Sequence, residues 1–214
     1  MPVIESGFLD LTAALDVAAF WAENEQCHAF TPAKPRCAAS FSPDDHWLFE
    51  FLPVPSTVRY YQDKPHRDSL HREANRITQQ YVGKAFFDED SWQHTPKRIE
   101  NLFGCEFAYH EGSTPWLVPL TDDPVEFARI LDRAEAIDLA TWAFPAEFTD
   151  EWEARQRAGK TLPALGTGSR GPATIITSVL QPETAIFWMI DHPDLMHRFS
   201  TILAEKMVEL NRVL

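Results

Sequence analysis

Residues able to do acid–base or binding chemistry follow three short apolar segments of this 214-residue sequence. The segments, residues 37–42, 84–87 and 162–166, are predicted to be buried strands. Behind them come Asp44, Asp45, His46 and Trp47, then Asp88, Glu89, Asp90 and Trp92, and finally Arg170 and Thr174. Because loops after parallel strands meet at one edge of a sheet, we expect these side chains to line a common site.

The candidate catalytic residues are Asp88, Asp90 and His46. Clustered carboxylates can divide the roles of general acid and general base between them. Plainer interpretations stay open, with residues 88–90 as a solvated turn and His46 as a structural histidine. An Asp-x-Asp pattern beside one His is weak evidence for a metal site, so no metal ligand is predicted.

The candidate substrate-binding residues are Asp44, Trp47, Trp92, Arg170, Thr174 and Ser178. The two Trp side chains suit the walls of a site for an apolar group or a cation, such as an aryl methyl ether or a methylated amine. The Arg170 guanidinium, beside Gly171, suits a carboxylate. Two alternatives stay open: Asp44-Asp45 as a helix N-cap, and Arg170 in an ion pair with a structural acid.

Helices and one hairpin are expected to position these candidates. Apolar periodicity and capping signals predict helices over residues 11–24, 67–81, 96–103, 148–158 and 183–190, one that begins at Pro124 behind its cap Asp123, and one that begins at Pro193. A turn at residues 111–113 predicts a hairpin of residues 106–110 and 116–120. Residues 43–55, rich in aromatic residues and proline, are predicted to be a structured loop with a short helix.

The helix that begins at Pro193 is the most informative element for the architecture. Its apolar stripe runs from Leu195 through Phe199 and Leu210 to Leu214, with no capping residue behind it. Strands that alternate with helices predict an α/β fold with parallel strands. We therefore expect that a further strand should follow Leu214, and that the chain is cut before the fold is complete.

The charge balance argues against several functions. Lys and Arg number 19 against 32 Asp and Glu, so the net charge is -13, which disfavours nucleic acid and anionic membranes as partners. The three cysteines, Cys27, Cys37 and Cys105, have no CxxC spacing and predict neither a disulfide framework nor a cysteine-rich zinc site. With an acidic N-terminus and no long apolar stretch, the sequence is predicted to be cytoplasmic.

Three passages together resemble the uroporphyrinogen decarboxylase superfamily. They are Asn101-Leu-Phe-Gly-Cys-Glu106 leading to Pro115-Trp116, Gly171-Pro-Ala-Thr174, and the helix 183–190 followed by Asp191-His-Pro-Asp194 and a long amphipathic helix. The resemblance implies a TIM-type (β/α)8 barrel with its chemistry at the C-terminal ends of the strands. Residues 1–214 would be the N-terminal portion of that single, incomplete barrel domain.

Members of the superfamily are porphyrinogen decarboxylases or corrinoid-linked methyltransferases. The decarboxylases have an Arg-Gln-Ala-Gly-Arg-like segment after the first strand, where this chain has Ser42-Pro-Asp-Asp-His-Trp47, and a tyrosine where this chain has Ser178. Both departures favour a corrinoid-dependent methyltransferase for a small methylated substrate. Uroporphyrinogen III decarboxylation, and an inactive half-barrel that acts only in binding or assembly, are the alternatives.

The resemblance also implies cofactors and partners. The methyltransferases use a His and Cys zinc site from their C-terminal part, so no cofactor is expected within this chain, and zinc would belong to the complete enzyme. The expected partners are the small-molecule substrate, a corrinoid protein, and a complementary C-terminal chain or a second copy. Neither nucleic acid nor a membrane is expected.

Overall fold

A computed structural model describes residues 16–26, 43–160, 162–163, 165–166 and 170–214. These residues form eleven helices and two short strands, so the described fold is α-rich. The chain divides into two compact units, unit 1 (Met1–Ser91) and unit 2 (Trp92–Leu214).

Unit 1 contains the helices α1 (Val17–Gln26), α2 (Asp45–Phe51), α3 (Thr57–Gln62) and α4 (Lys64–Val82). The last three begin at Asp44, Ser56 and Asp63, whose side chains accept backbone N–H groups of the first turn. Among the described residues of the unit, Leu48, Leu52, Tyr60 and Ala74 are buried and apolar and pack together.

Gly83 ends α4 with a left-handed φ of 70°. A Cβ atom at this position would lie 2.9 Å from Cγ1 of Val17, so α1 passes close to the end of α4. The Trp21 indole N–H donates to the Val82 carbonyl at 2.7 Å. Both the backbone conformation and the close approach therefore favour glycine here.

Unit 2 contains nine helices and strands: α5 (Ile99–Leu102), β1 (Phe107–Ala108), β2 (Trp116–Leu117), α6 (Pro124–Ala136), α7 (Leu139–Trp142), α8 (Ala146–Arg157), α9 (Pro172–Val179), α10 (Pro182–Asp191) and α11 (Pro193–Val213). The two strands pair antiparallel, with Phe107 opposite Leu117.

Helix α11 is the centre of unit 2, because it packs against α5, α6, α7, α9 and α10. Phe199, fully buried in the middle of α11, makes edge-to-face contacts with Phe103 and Phe127, both with ring centroids 5.1 Å apart. Ile202, Leu203 and Leu210 extend the buried stripe. Helices of unit 2 thus bury the apolar stripe that the sequence predicted. The stripe therefore gives no support to the expectation that further polypeptide packs on this helix.

Several elements agree with the sequence-based predictions. Helix α4 spans the predicted residues 67–81, and α6 begins at Pro124 behind the capping side chain of Asp123. The predicted hairpin forms, with strands shorter than expected. The helix predicted over residues 96–103 is shortened to α5, and the Lys97 N–H ahead of it donates to the Ala143 carbonyl.

The predicted parallel strands are not seen among the described residues. Residues 84–87 form no strand, because the Asn75 side chain of α4 takes the place of a strand partner: its Oδ1 accepts the N–H groups of Phe86 and Phe87 and its Nδ2 donates to the Phe87 carbonyl. The described part of residues 162–166 is irregular, and residues 37–42 lie outside the described residues. The barrel therefore remains a prediction.

Within the described ranges, no individual helix has the length and apolar character to cross a bilayer. Helices α9 and α10 taken together pass the same length and composition test, but they meet at a bend of 101°.

The central position of α11 predicts a large effect of truncating Phe199. Phe199→Ala should lower the free energy of unfolding of unit 2 by about 3 to 5 kcal/mol, because it leaves a cavity beside two aromatic neighbours, Phe103 and Phe127. Val208→Ala is the matched control on the same helix, at a residue 51% exposed, and should change stability by less than about 1 kcal/mol. Urea unfolding followed by circular dichroism measures both. Equal effects of the two substitutions would contradict this packing.

Candidate functional site

Asp44 is a helix cap in the structure. Its Oδ1 accepts the Trp47 N–H at 3.0 Å and so begins α2. His46 lies on the exposed side of α2, and the Trp47 ring packs against Phe51 and Phe87. The capping alternative thus describes Asp44 better than a substrate contact does.

Asp45 is the acceptor of two tyrosine hydroxyl groups. The Tyr60 hydroxyl donates to Oδ1 at 2.9 Å and the Tyr61 hydroxyl to Oδ2 at 3.0 Å. The Tyr60 oxygen also lies 3.0 Å from Nε2 of His71, whose Nδ1 is 2.6 Å from the Asp88 carbonyl oxygen. This Asp45–Tyr60–Tyr61–His71 cluster, which we call the tyrosine cluster, connects α2, α3, α4 and the turn after residue 87.

Burial raises the pKa of both tyrosines, and the neighbouring Asp45 carboxylate raises it further. Tyr60 and Tyr61 therefore remain neutral hydrogen-bond donors throughout the pH range in which the protein is handled. Neither hydroxyl is a candidate base or nucleophile, because each would have to ionise first.

The three acids of residues 88–90 each have a structural partner. Asp88 Oδ1 accepts the Asp90 N–H at 3.0 Å, and Glu89 Oε1 accepts from Asn75 at 2.9 Å. Asp90 pairs with Lys64 at 2.8 Å, and Lys64 also pairs with Asp68. Asp88 and Asp90 thus serve to hold this turn, Asp90 through the Lys64 ammonium group of α4, while His46 lies exposed on α2; a joint catalytic role for the three stays a prediction.

Across the described ranges, no group of three or more His, Cys, Asp or Glu side chains is arranged to hold a metal ion. The zinc site that the resemblance implies would belong to the C-terminal part of the complete enzyme, so no chemical step is derived through zinc.

Trp92 belongs to unit 2, whereas Trp47 belongs to unit 1. Trp92 packs against Phe148 and Trp152, and the Arg155 guanidinium lies 4.2 Å from the centre of a Trp92 ring. Trp92 thus has a cationic partner within the chain itself. That Trp47 and Trp92 form the walls of a site for an apolar group or a cation stays a prediction.

Glu100 and Arg170 form the most unusual ion pair of unit 2. Glu100 lies in α5 with only 3% of its side chain exposed, and its Oε1 accepts from Arg170 Nη2 at 2.9 Å. A carboxylate buried so deeply needs a hydrogen-bonded cation. The Arg170 side chain is 43% exposed, so part of the guanidinium remains open to solvent.

Thr174 and Ser178 lie in α9, close to Arg170 in sequence. The helix begins with Pro172 after Gly171, and no side chain caps its first turn. Thr174 is exposed, and the Ser178 hydroxyl donates to the Thr174 carbonyl at 2.7 Å. Arg170 and Thr174 thus present polar groups near the start of α9, while Ser178 bonds within the helix.

Cys105 is almost completely buried. The charges of Glu100 and Arg170 both act on its thiol. Burial raises the pKa of the Cys105 thiol to about 12, with a further increase from Glu100 and an opposing effect of Arg170. The thiol stays protonated at neutral pH, so Cys105 is not a nucleophile.

Sequence reasoning missed Glu100, Tyr60 and His71 as parts of polar clusters. Tyr60 is a buried aromatic with 3% exposure, and its hydroxyl contacts have no sequence signal. For Glu100, the available signal was a lone acid between Ile99 and Leu102, which indicates a buried helix turn.

Comparison with known proteins adds no relative: no family model, no curated protein and no solved structure matches this chain.

Removing one partner of the Glu100–Arg170 pair should destabilise unit 2. Arg170→Ala leaves the Glu100 carboxylate buried without its cation and should cost about 1 to 3 kcal/mol. Glu100→Gln combined with Arg170→Ala should cost less than the sum of the single changes, because the uncompensated charge is gone. Chemical denaturation of all four proteins gives the coupling. Strict additivity would mean that the pair is not formed.

The raised pKa values of Tyr60 and Tyr61 predict a loss of stability in alkali. An unfolded tyrosine ionises near about pH 10, whereas the folded ones hold their protons, so unfolding releases protons above that pH and stability falls as pH rises. The double variant Tyr60→Phe/Tyr61→Phe should show a shallower decline. Tyr109→Phe, at a residue 38% exposed, is the control and should follow the wild type. Thermal midpoints between about pH 8 and pH 11 measure the difference.

Proposed function

We propose that this chain is the N-terminal part of a uroporphyrinogen-decarboxylase-superfamily barrel and that it takes part in corrinoid-dependent methyl transfer from a small methylated carboxylate. The observation that supports this most is the Glu100–Arg170 ion pair. It joins the residues that directly precede two of the three passages in which the sequence resembles the superfamily, although the paired residues are 70 positions apart.

The third passage packs in the same body. Helix α9, which begins within Gly171-Pro-Ala-Thr174, contacts both α10 and α11, and Phe103 of the first passage contacts Phe199 of α11. The three passages thus pack around one core in unit 2, as the proposal requires.

Arg170 is the proposed substrate-recognition residue. Its guanidinium is oriented by Glu100 from the protein side and is open to solvent on the other, which suits one carboxylate of a ligand. Thr174 offers a hydroxyl one helical turn further on. Glu100 is the positioning residue, since its own charge is already satisfied by Arg170.

These assignments select a substrate class. An aryl methyl ether that bears a carboxylate, such as 4-methoxybenzoate, meets both requirements: its carboxylate can bind Arg170, and its ether carries the methyl group to be transferred. A quaternary amine finds no free aromatic wall at Trp92, because Arg155 already lies against that ring. A corrinoid on a partner protein accepts the methyl group in this proposal. Asp88, Asp90 and His46 receive no catalytic role in it.

The proposal also includes further polypeptide, either a complementary C-terminal chain or a second copy, to provide barrel strands. Helix α10 favours such a partner, because four of its apolar side chains are more than half exposed: Ile186, Phe187, Met189 and Ile190. Zinc, if the complete enzyme uses it, would be bound by that additional polypeptide.

Binding of 4-methoxybenzoate to the full chain tests the recognition step. Ligand-observed NMR should detect binding, and 4-methoxybenzamide, which lacks the charge, should bind at least about tenfold more weakly. Arg170→Gln should abolish the preference for the acid, whereas Arg157→Gln, an arginine exposed at the end of α8, should leave it intact. Equal binding of acid and amide by the wild-type chain would refute Arg170 as the anchor.

The activity itself is tested with reduced cobalamin as the methyl acceptor. Formation of 4-hydroxybenzoate by the chain together with its associated polypeptide would support methyl transfer. Formation of coproporphyrinogen from uroporphyrinogen III would instead establish the decarboxylase alternative. Absence of both products would leave a binding or assembly subunit and overturn the proposed activity.

A further inference from the structure

Helix α10 has a buried side and an exposed apolar side. Ala185 and Trp188 are buried in unit 2. The other side carries four large apolar side chains, each between 56% and 76% exposed: Ile186, Phe187, Met189 and Ile190. We call these four residues the α10 face. Apolar side chains concentrated on one exposed face of a helix mark a surface on which another element packs.

Two carboxylates lie along one edge of the α10 face. Glu183 and Asp191 are each four residues from Phe187, so the three side chains follow one another along the same side of the helix. Both acids are exposed, and neither is in an ion pair within the part of the chain that the structure describes. No Lys or Arg occurs between Arg170 and Arg198. The α10 face is therefore apolar with an acidic edge.

The charge of this edge distinguishes between candidate occupants. A second copy that packed through its own α10 would bring the same two acids and no cation from that helix, and like charges across an interface repel each other. A membrane surface is disfavoured on the same ground, because helices that lie on membranes carry Lys and Arg beside their apolar side. A partner with cations beside its apolar residues complements the edge.

The size of the α10 face fits a single helix rather than a whole folded domain. Helix α10 has 10 residues, and four side chains on such a helix present on the order of a few hundred Å². Each partner in a stable complex of two folded proteins buries about 800 Å². One helix that packs along α10 needs only its own apolar stripe to cover the face.

We propose that the α10 face binds an amphipathic helix of another polypeptide. The apolar stripe of that helix covers the four exposed side chains, and its Lys or Arg residues, two helical turns apart, pair with Glu183 and Asp191. Flanking charges of this kind set partner choice and register in helix pairs. The inference rests on the further polypeptide that the proposed function includes, and it specifies the chemistry of that polypeptide. It gives no role to Arg170, so the two can be tested separately.

Fluorescence anisotropy with two synthetic helical peptides tests this partner. The Lys peptide has a Leu stripe and two Lys residues two turns apart along one edge of it, and the Glu peptide differs only by Glu at those two positions. The 214-residue chain should bind the Lys peptide about three- to tenfold more tightly than the Glu peptide at the same ionic strength. Equal binding of the two peptides, or binding of neither, would overturn the proposal.

Charge reversal separates specific pairing from the general attraction of an acidic protein for a basic peptide. Glu183→Lys/Asp191→Lys should reverse the preference, so that the Glu peptide binds more tightly. Asp150→Lys/Glu153→Lys makes the same change of net charge at exposed residues of α8 and should keep the preference for the Lys peptide. If both double variants lose the preference equally, the peptide responds to net charge alone and the proposal is wrong.

The apolar contribution is tested at the most exposed residue of the α10 face. Ile190→Ser should weaken binding of the Lys peptide at least about tenfold, whereas Val208→Ser, at an exposed residue of α11, should leave it unchanged. Binding of 4-methoxybenzoate by the Ile190→Ser variant should also be unchanged. A loss of peptide binding alone is thereby distinguished from a failure at Arg170.

Two results would assign the α10 face to another occupant and contradict the proposal. One is a dimer of the wild-type chain in light scattering that Ile190→Ser converts to a monomer. The other is flotation of the wild-type chain with phosphatidylcholine vesicles that the same substitution abolishes.

Discussion

The need to bury the apolar stripe of α11 determines how unit 2 is built. Five helices pack on this one helix, and Phe199 sits in the middle of the contact with rings from α6 and from the end of α5. Because α5 and α9 both pack on α11, the residues they present come close to each other. The Glu100–Arg170 ion pair is a consequence of that packing, and the polar site follows from the core.

Unit 1 is held together in a different way. Its turn at residues 88–91 is fixed by polar side chains of α4: His71, Asn75, Lys64 and Asp68 each contact it. Acids that follow an apolar segment suggested catalysis from the sequence. In the structure Asp90 pairs with the Lys64 ammonium group and Glu89 accepts from the Asn75 amide of α4, while the Asp88 carboxylate accepts the Asp90 N–H within the turn. Polar contacts of this kind fix geometry more than they add stability.

The sequence predicted the elements whose signals are local. Asp123 before Pro124 set the start of α6, the periodic stripe set α11, and the turn at residues 111–113 set the hairpin. It failed where a distant side chain decides the conformation. Residues 84–87 have the composition of a strand, but the Asn75 amide binds their backbone, and no rule of spacing reveals that. The partner of Glu100 was equally hidden, since pairing over 70 residues depends on tertiary packing.

For the candidate site, too, the sequence predicted local features and missed contacts between residues that are distant in the chain. Asp44 was correctly considered as a cap, because capping depends on the next three residues. Arg170 was correctly considered as the partner of a structural acid, although the acid was not identified. The predicted common site required parallel strands to bring three loops together, and the described residues contain only an antiparallel pair. What the sequence could not give was the set of side chains that meet in space.

The buried thiol of Cys105 has a practical consequence. Since it is protonated and shielded next to Glu100, it reacts with an alkylating reagent only when its surroundings open. The rate at which the peptide containing Cys105 gains the mass of the reagent therefore measures how often unit 2 opens locally, and the measurement needs no substitution in the sequence.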